Sequence, residues 1–158
     1  RGHFARAFCQ KEFAAHGLTQ SVAQANVSFN HERGTLRGMH YQAAPYQEVK
    51  IVRCTRGAIF DVAVDVRPDS STYGNWMGVT LTPENGRAFY VPEGCAHGYL
   101  CLEDDSEVLY LTSAFYAPEA ERGLRYDDPA IGIEWPIEVA VMSEKDRRWP
   151  AFQQPRLS

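Results

Sequence analysis

Ala58-Ile59-Phe60-Asp61-Val62-Ala63-Val64-Asp65-Val66 decides the fold. Ala58, Phe60, Val62, Val64 and Val66 alternate with Ile59, Asp61, Ala63 and Asp65, and a period of two is the mark of a β-strand. Arg56-Gly57 closes the stretch before it, and the turn-forming run Pro68 to Gly74 follows it. Two aspartates on a face otherwise lined by Ile59 and Ala63 do not suit a dry core. That face is either solvated or turned toward a polar cavity.

Working outward, the pattern repeats. Val49 to Cys54 reads as a strand before it, and Trp76 to Leu81, Arg87 to Val91, His97 to Leu102 and Glu107 to Phe115 as strands after it. Turn chemistry at Pro83-Glu84-Asn85-Gly86, Pro92-Glu93-Gly94 and Glu103-Asp104-Asp105 separates them. Short strands at such even spacing, with scarcely a helix between them, predict an all-β antiparallel sandwich or barrel, a jelly roll first.

The flanks are less regular. Phe4 to Phe8 reads as a short strand, and Gln10 to His16 as one or two helical turns with Phe13 inward and Gly17 as the stop. Gln20 to Phe29 places Gln24, Asn26 and Ser28 on one face, a polar row suited to a base or sugar and equally to solvent. Asp127-Asp128-Pro129 marks a loop, and Ser143-Glu144-Lys145-Asp146 has the form of a helix capping box with Pro150 closing the segment. With no internal repeat or linker, residues 1–158 read as a single domain. Arg1-Gly2 looks like a turn inside a domain, so some native N-terminal sequence is expected to precede it.

Composition narrows the function. The 44% hydrophobic and 23% charged content is that of an ordinary folded chain, not a disordered one. A net charge of −4 argues against a general nucleic-acid or anionic-membrane surface, so a phosphate ligand would need a local basic cluster. No apolar run approaches the roughly 20 residues of a membrane helix. Cys9, Cys54, Cys95 and Cys101 lack any Cys-x-x-Cys pair, which fits reduced, mostly buried thiols in a cytoplasmic protein.

Chemistry concentrates in Arg33 to Lys50, where two arginines, a lysine, a histidine and two glutamines share eighteen residues. Gly34 and Gly38 stand where the backbone must turn or lie close to something. Alternation puts Leu36, Gly38, His40 and Gln42 on one face and Arg37, Met39 and Tyr41 on the other. Metal binding by His40, Glu48 and His97 is one reading, although no His-x-His pair or fixed acidic spacing supports it. Metal-free proton transfer is the other. Histidine is the natural general base if a carboxylate orients it, and Asp61 and Asp146 are candidates. Lys50 offers a cation for an oxyanion, and Tyr110 a phenol as acid.

Taken together, several segments resemble the dTDP-4-dehydrorhamnose 3,5-epimerase family of cupin-type nucleotide-sugar epimerases. They are Gly34-Thr35-Leu36-Arg37-Gly38-Met39-His40-Tyr41-Gln42, Lys50-Ile51-Val52-Arg53, Phe60-Asp61-Val62-Ala63-Val64-Asp65, Pro92-Glu93-Gly94-Cys95-Ala96-His97-Gly98, Tyr116-Ala117-Pro118-Glu119, Gly132-Ile133-Glu134-Trp135-Pro136 and Ser143-Glu144-Lys145-Asp146. The resemblance implies a cupin-type jelly roll with a few short helices. It also implies a homodimer with exchanged N-terminal strands, and catalysis without metal or organic cofactor. It implies that His40 removes a proton beside the C4 ketone of a nucleotide-linked 4-keto-6-deoxyhexose. Asp146 would orient it, Tyr110 return a proton on the opposite face, and Lys50 stand near the enolate oxygen. Arg1, Phe4, Gln24, Asn26 and Arg37 match positions near the nucleotide, His97 and Lys145 match positions near the sugar-diphosphate, and Tyr116 is a further substrate contact.

Two departures bear on specificity. Arg6 stands where many members have glutamate, which leaves the base open, and Leu111 where lysine is common. Within the family, inversion at both C3 and C5 is favoured over inversion at a single centre, which stays an alternative. A metal-dependent cupin enzyme and a non-catalytic nucleotide-sugar binder are the alternatives.

Overall fold

Alternation becomes sheet wherever a second face exists to bury it. The computed structural model describes residues 1–19 and 21–153. The alternating stretch forms β4 (Ile59–Asp65), after β1 (Gln24–Asn30), β2 (Thr35–Gln42) and β3 (Lys50–Arg56). β5 (Trp76–Leu81), β6 (Phe89–Val91), β7 (Cys95–Cys101) and β8 (Ser106–Thr112) follow. Two short pieces, β9 (Glu121–Gly123) and β10 (Val141–Met142), complete the strands among the described residues. The helices are α1 (Gln10–Ala15), a 3-10 turn (Pro118–Ala120) and α2 (Glu144–Arg147).

One sheet runs β1-β8-β3-β6 and the other β10-β2-β7-β4-β5, with β9 also paired to β2. Every pairing is antiparallel except β10 on β2. This is the expected cupin-type jelly roll, all-β with a few short helices. Val52, Cys54, Val91 and Val108 of the first sheet meet Ile59, Leu81, Tyr99 and Cys101 of the second in a dry core.

The second sheet is covered on its outer face as well. Met39, Val62, Val64 and Ala96 pack beneath Leu124, Ile131, Trp135 and Phe152 of the C-terminal segment. The valines of β4 therefore lie under that segment, and the aspartate-bearing face looks into the sandwich. Asp61 is wholly buried there. Neither aspartate is solvated: Asp61 is paired with His97, and Asp65 is held by Arg67, Ser70 and Thr72.

Several sequence expectations change. Phe4 to Phe8 forms no strand, and Phe4 is 91% exposed. The Gln20–Phe29 strand begins at Gln24, and Gln20 itself lies outside the described residues. The Glu107–Phe115 strand ends at Thr112, because Gln42 takes over the next loop by donating to the Phe115 carbonyl and accepting from the Ala117 N–H. The α1 reading holds: Gly17 follows it with φ +68°, and Phe13 packs edge-on against Phe8.

The largest correction is in β2. Arg37 pairs with Tyr99 and His40 with His97, so Gly38 and Met39 together stand opposite Gly98. This is a β-bulge, and the extra residue reverses the parity of every side chain beyond it. Arg37 and His40 thus share a face that simple alternation denies them. Only glycine fits either side. A Cβ on Gly38, at φ +131°, would lie 2.6 Å from Gly98 Cα, and one on Gly98 would lie 2.8 Å from the Arg37 carbonyl oxygen.

Candidate active site

The inward face of the first sheet carries Gln24, Asn26 and Ser28 of β1, Lys50 of β3, and Tyr110 and Thr112 of β8. Facing them from the second sheet are Arg37, His40 and Gln42 of β2 with His97 and Tyr99 of β7. Between them lie two adjoining hollows of about 530 and 440 Å³. His40, Lys50 and Tyr110 wall both. A base, a cation and a phenol from three different strands therefore border one space.

His40 Nε2 lies 2.5 Å from Asp146 Oδ1. Asp146 is the third residue of α2, and its backbone N–H donates to Ser143 Oγ. The cap is thus made by Ser143, while the Asp146 carboxylate is turned to the histidine. Trp149 Nε1 also donates to that carboxylate, and its indole packs edge-on to His40. Gly123 makes room for the indole, since a Cβ there would lie 2.3 Å from the ring. Burial pushes the Asp146 carboxyl up, but the His40 hydrogen bond and charge, with Ser143 and the Gly38 N–H, hold it below the usual range. A carboxylate on Nε2 leaves Nδ1 as the nitrogen with a free lone pair.

A second histidine–carboxylate pair lies deeper. His97 Nε2 is 2.6 Å from Asp61 Oδ1, and Asp61 Oδ2 has no partner among the described residues. Asp61 therefore serves His97, not His40. Lys50 Nζ sits 3.3 Å from Glu48. Burial and the Glu48 carboxylate push the Tyr110 phenol above its ordinary 10.0, with Arg37 opposing.

Polar side chains brace the walls. Arg37 Nε donates to Asn30 Oδ1, Asn30 Nδ2 to Tyr99 Oη, and Tyr99 Oη to Ser28 Oγ. Gln24 Oε1 accepts from the Tyr116 N–H, and the Tyr116 hydroxyl donates to Glu121, which is also paired with Lys145.

Of the twelve residues singled out in the sequence, ten border the two hollows: His40, Lys50, Tyr110, Asp146, Gln24, Asn26, Arg37, His97, Tyr116 and Lys145. Arg1 and Phe4 do not; both are exposed. The set His40, Glu48 and His97 does not assemble as metal ligands. Each has a different partner, and no group of three His, Cys, Asp or Glu among the described residues is placed to hold a metal ion.

Sequence reading missed Glu121, Trp149 and the pairing of Glu48 with Lys50, and it offered Asp61 as a histidine's carboxylate without fixing which histidine. Parity held a signal for both carboxylates: Asp61, with Asp65, stood out on an otherwise apolar face, and Glu48 lies two positions before Lys50. Glu121 and Trp149 sit in segments without periodicity.

A family model described as dTDP-4-dehydrorhamnose 3,5-epimerase matches residues 1–154. A dTDP-4-dehydrorhamnose 3,5-epimerase of Sinorhizobium fredii is 47% identical over 153 residues, covering 96% of this chain and 78% of that protein. The crystal structure of a dTDP-4-dehydrorhamnose 3,5-epimerase from Bacillus anthracis, with TDP and PPi bound, superposes with a TM-score of 0.92 at 36% identity. That match covers 94% of this chain and 85% of the other. A dTDP-6-deoxy-D-glucose-3,5-epimerase from Legionella pneumophila, in complex with dTDP-4-keto-L-rhamnose, gives 0.87 at 36% identity, covering 95% and 86%.

Proposed function

The chain belongs to the dTDP-4-dehydrorhamnose 3,5-epimerase family, and on that premise we propose how its own residues divide the reaction. It is an isomerase of deoxysugar biosynthesis that acts on a nucleotide-linked 4-keto-6-deoxyhexose. Epimerisation beside a ketone needs three things. A base must take the C–H proton, something must meet the charge that moves to the carbonyl oxygen, and an acid must return a proton on the other face.

His40 takes the proton at Nδ1, with Asp146 orienting the ring and balancing the imidazolium. The C–H electrons become the enolate double bond, and the carbonyl oxygen gains charge near the Lys50 ammonium. Tyr110 then donates its phenolic proton from the opposite side. One C–H bond breaks and one forms; proton exchange with solvent resets His40 and Tyr110. The observation that carries this reading is that His40, Lys50 and Tyr110 wall the same hollows. The raised phenol fits an acid that must hold its proton at neutral pH.

Gln24, Asn26, Arg37 and Tyr116 are assigned to the nucleotide end, and His97 and Lys145 to the sugar-diphosphate. Arginine is suited to pyrophosphate because it binds two oxygens at once. Arg1 and Phe4 lie away from the hollows, and docking of the N-terminal segment on a second copy would bring them to a nucleotide. The homodimer with exchanged N-terminal strands is proposed on that ground, supported by the exposed Phe4 and by Val27 and Phe29 exposed on edge strand β1. The four unpaired thiols and the nucleotide-sugar substrate support a cytoplasmic location. No helix among the described residues is long and apolar enough to cross a membrane.

The test is an NMR assay of dTDP-4-keto-6-deoxyglucose in deuterated water. The wild type should incorporate deuterium at C3 and C5. His40→Ala should lose incorporation while nucleotide binding persists; unchanged exchange would remove His40 as the base.

A further inference from the structure

We propose that Glu48 is a positioning residue for this reaction: its carboxylate anchors the Lys50 ammonium at the cavity wall and sets the charge environment of the Tyr110 hydroxyl that lines the same hollow. The inference rests on the roles given above to Lys50 and Tyr110.

Glu48 lies just before β3, two residues from Lys50, and lines the same hollow as Lys50, Tyr110 and His40. Its side chain is 11% exposed and that of Lys50 14%, with 3.3 Å between carboxylate and ammonium. A pair so far out of water holds its geometry better than a surface pair, and losing one member strands the other. Lys50 is thus held at the cavity wall and does not reach out toward solvent. A cation fixed before the charge develops is what an enolate oxygen requires.

The same carboxylate acts on Tyr110. Besides Glu48 and Lys50, the charged and titratable side chains that line the hollows with that phenol come from four strands and helices and one loop. β2 presents Arg37, His40 and Tyr41, β7 presents His97 and Tyr99, β9 presents Glu121, α2 presents Lys145 and Asp146, and the loop after β8 presents Tyr116. The acidic groups among them are already engaged: Asp146 with His40, and Glu121 with Lys145 and Tyr116. Asp61, behind His97, is paired with it. Glu48 is itself paired with Lys50, and it still adds to burial in pushing Tyr110 up while Arg37 pulls the other way. An anion beside a neutral phenol disfavours the phenolate. Tyr110 therefore keeps the proton it must deliver, even with Lys50 and Arg37 nearby.

Glu48→Gln tests this, since the amide keeps the shape and can still accept from Lys50. Tyrosinate absorbance is titrated in the wild type and in Glu48→Gln, each with a Tyr110→Phe counterpart subtracted to isolate the Tyr110 signal. Tyr110 should ionise at lower pH in Glu48→Gln than in the wild type. The alkaline limb of the inversion rate should move with it, with kcat affected more than KM. Glu48→Asp, which retains the charge at shorter reach, should give an intermediate midpoint and covers the case in which the glutamine variant folds poorly. An unchanged or higher Tyr110 midpoint overturns the proposal. The titration needs no substrate, so it stands apart from any failure of the epimerase assignment.

Discussion

Two histidine–aspartate pairs line the same sandwich, and their surroundings differ. The His40 side chain is partly open to the hollow, whereas His97 is nearly closed off and Asp61 completely so. For the outer pair the prediction concerns rate. Asp146→Asn removes the charge that balances a protonated His40, so deuterium incorporation should fall by about 10²–10⁴-fold with ligand affinity nearly kept. Exchange within tenfold of wild type would sever Asp146 from the chemistry. For the inner pair the prediction concerns stability. His97→Ala leaves Asp61 with neither oxygen partnered in a dry site, which should cost about 3–5 kcal/mol in urea unfolding. Asp61→Asn in the same background should recover much of that loss, because the stranded charge goes with it. A His97→Ala cost below about 1 kcal/mol would mean that water reaches Asp61 after all.

Elements explain which parts of the site were legible in the sequence. Strands with strict alternation were readable because period two is a local property, and β4 and β5 appear nearly where the pattern put them. The β2 bulge was not, since the parity of His40 relative to Arg37 depends on what stands opposite, and Gly98 is about sixty residues away in the chain. Gly38 signalled only that the backbone came close to something. β9 and β10, at three and two residues, are too short to carry a period. A prediction follows for the bulge. Gly98→Ala forces apart Met39 Sδ at 2.6 Å and the Arg37 carbonyl oxygen at 2.8 Å, and overpacking of this kind costs about 1–3 kcal/mol. Gly78→Ala on β5 is the control, because its Cβ would strike the Phe60 ring on the face away from the hollows. Both variants should lose stability, but only Gly98→Ala should lose exchange activity beyond its loss of folded protein. Equal activity losses per folded molecule would deny the bulge its part in aiming His40.

At the scale of the whole molecule, the second sheet is buried on both faces, and this is why the sequence left the side of the aspartates undecided. A strand covered twice shows hydrophobic residues at both parities, and only the long C-terminal segment, with its scattered Ile131, Trp135 and Phe152, supplies the second cover. The same enclosure sets the response of the fold to pH. Burial pushes the Cys54 thiol up to about 11 and Cys101 up to about 12, from 9.0, and lifts the Tyr99 phenol above 10.0. Each group keeps its proton in the folded chain while the unfolded chain has already released it. The stability they supply is therefore complete below about pH 9 and is lost as pH rises through the folded values. At the acid end the sign reverses. Asp65, held below the usual range chiefly by Arg67, and Asp146, held there by His40 against its burial, lend stability that fades as pH falls through their lowered values. The urea midpoint should be highest in the neutral range and decline steadily from about pH 9 upward, and Cys54→Val should flatten that decline because one of the two buried thiols is gone. A midpoint that holds level between about pH 8 and 11, or a Cys54→Val curve with the wild-type slope, would show that the thiols do not govern alkaline unfolding.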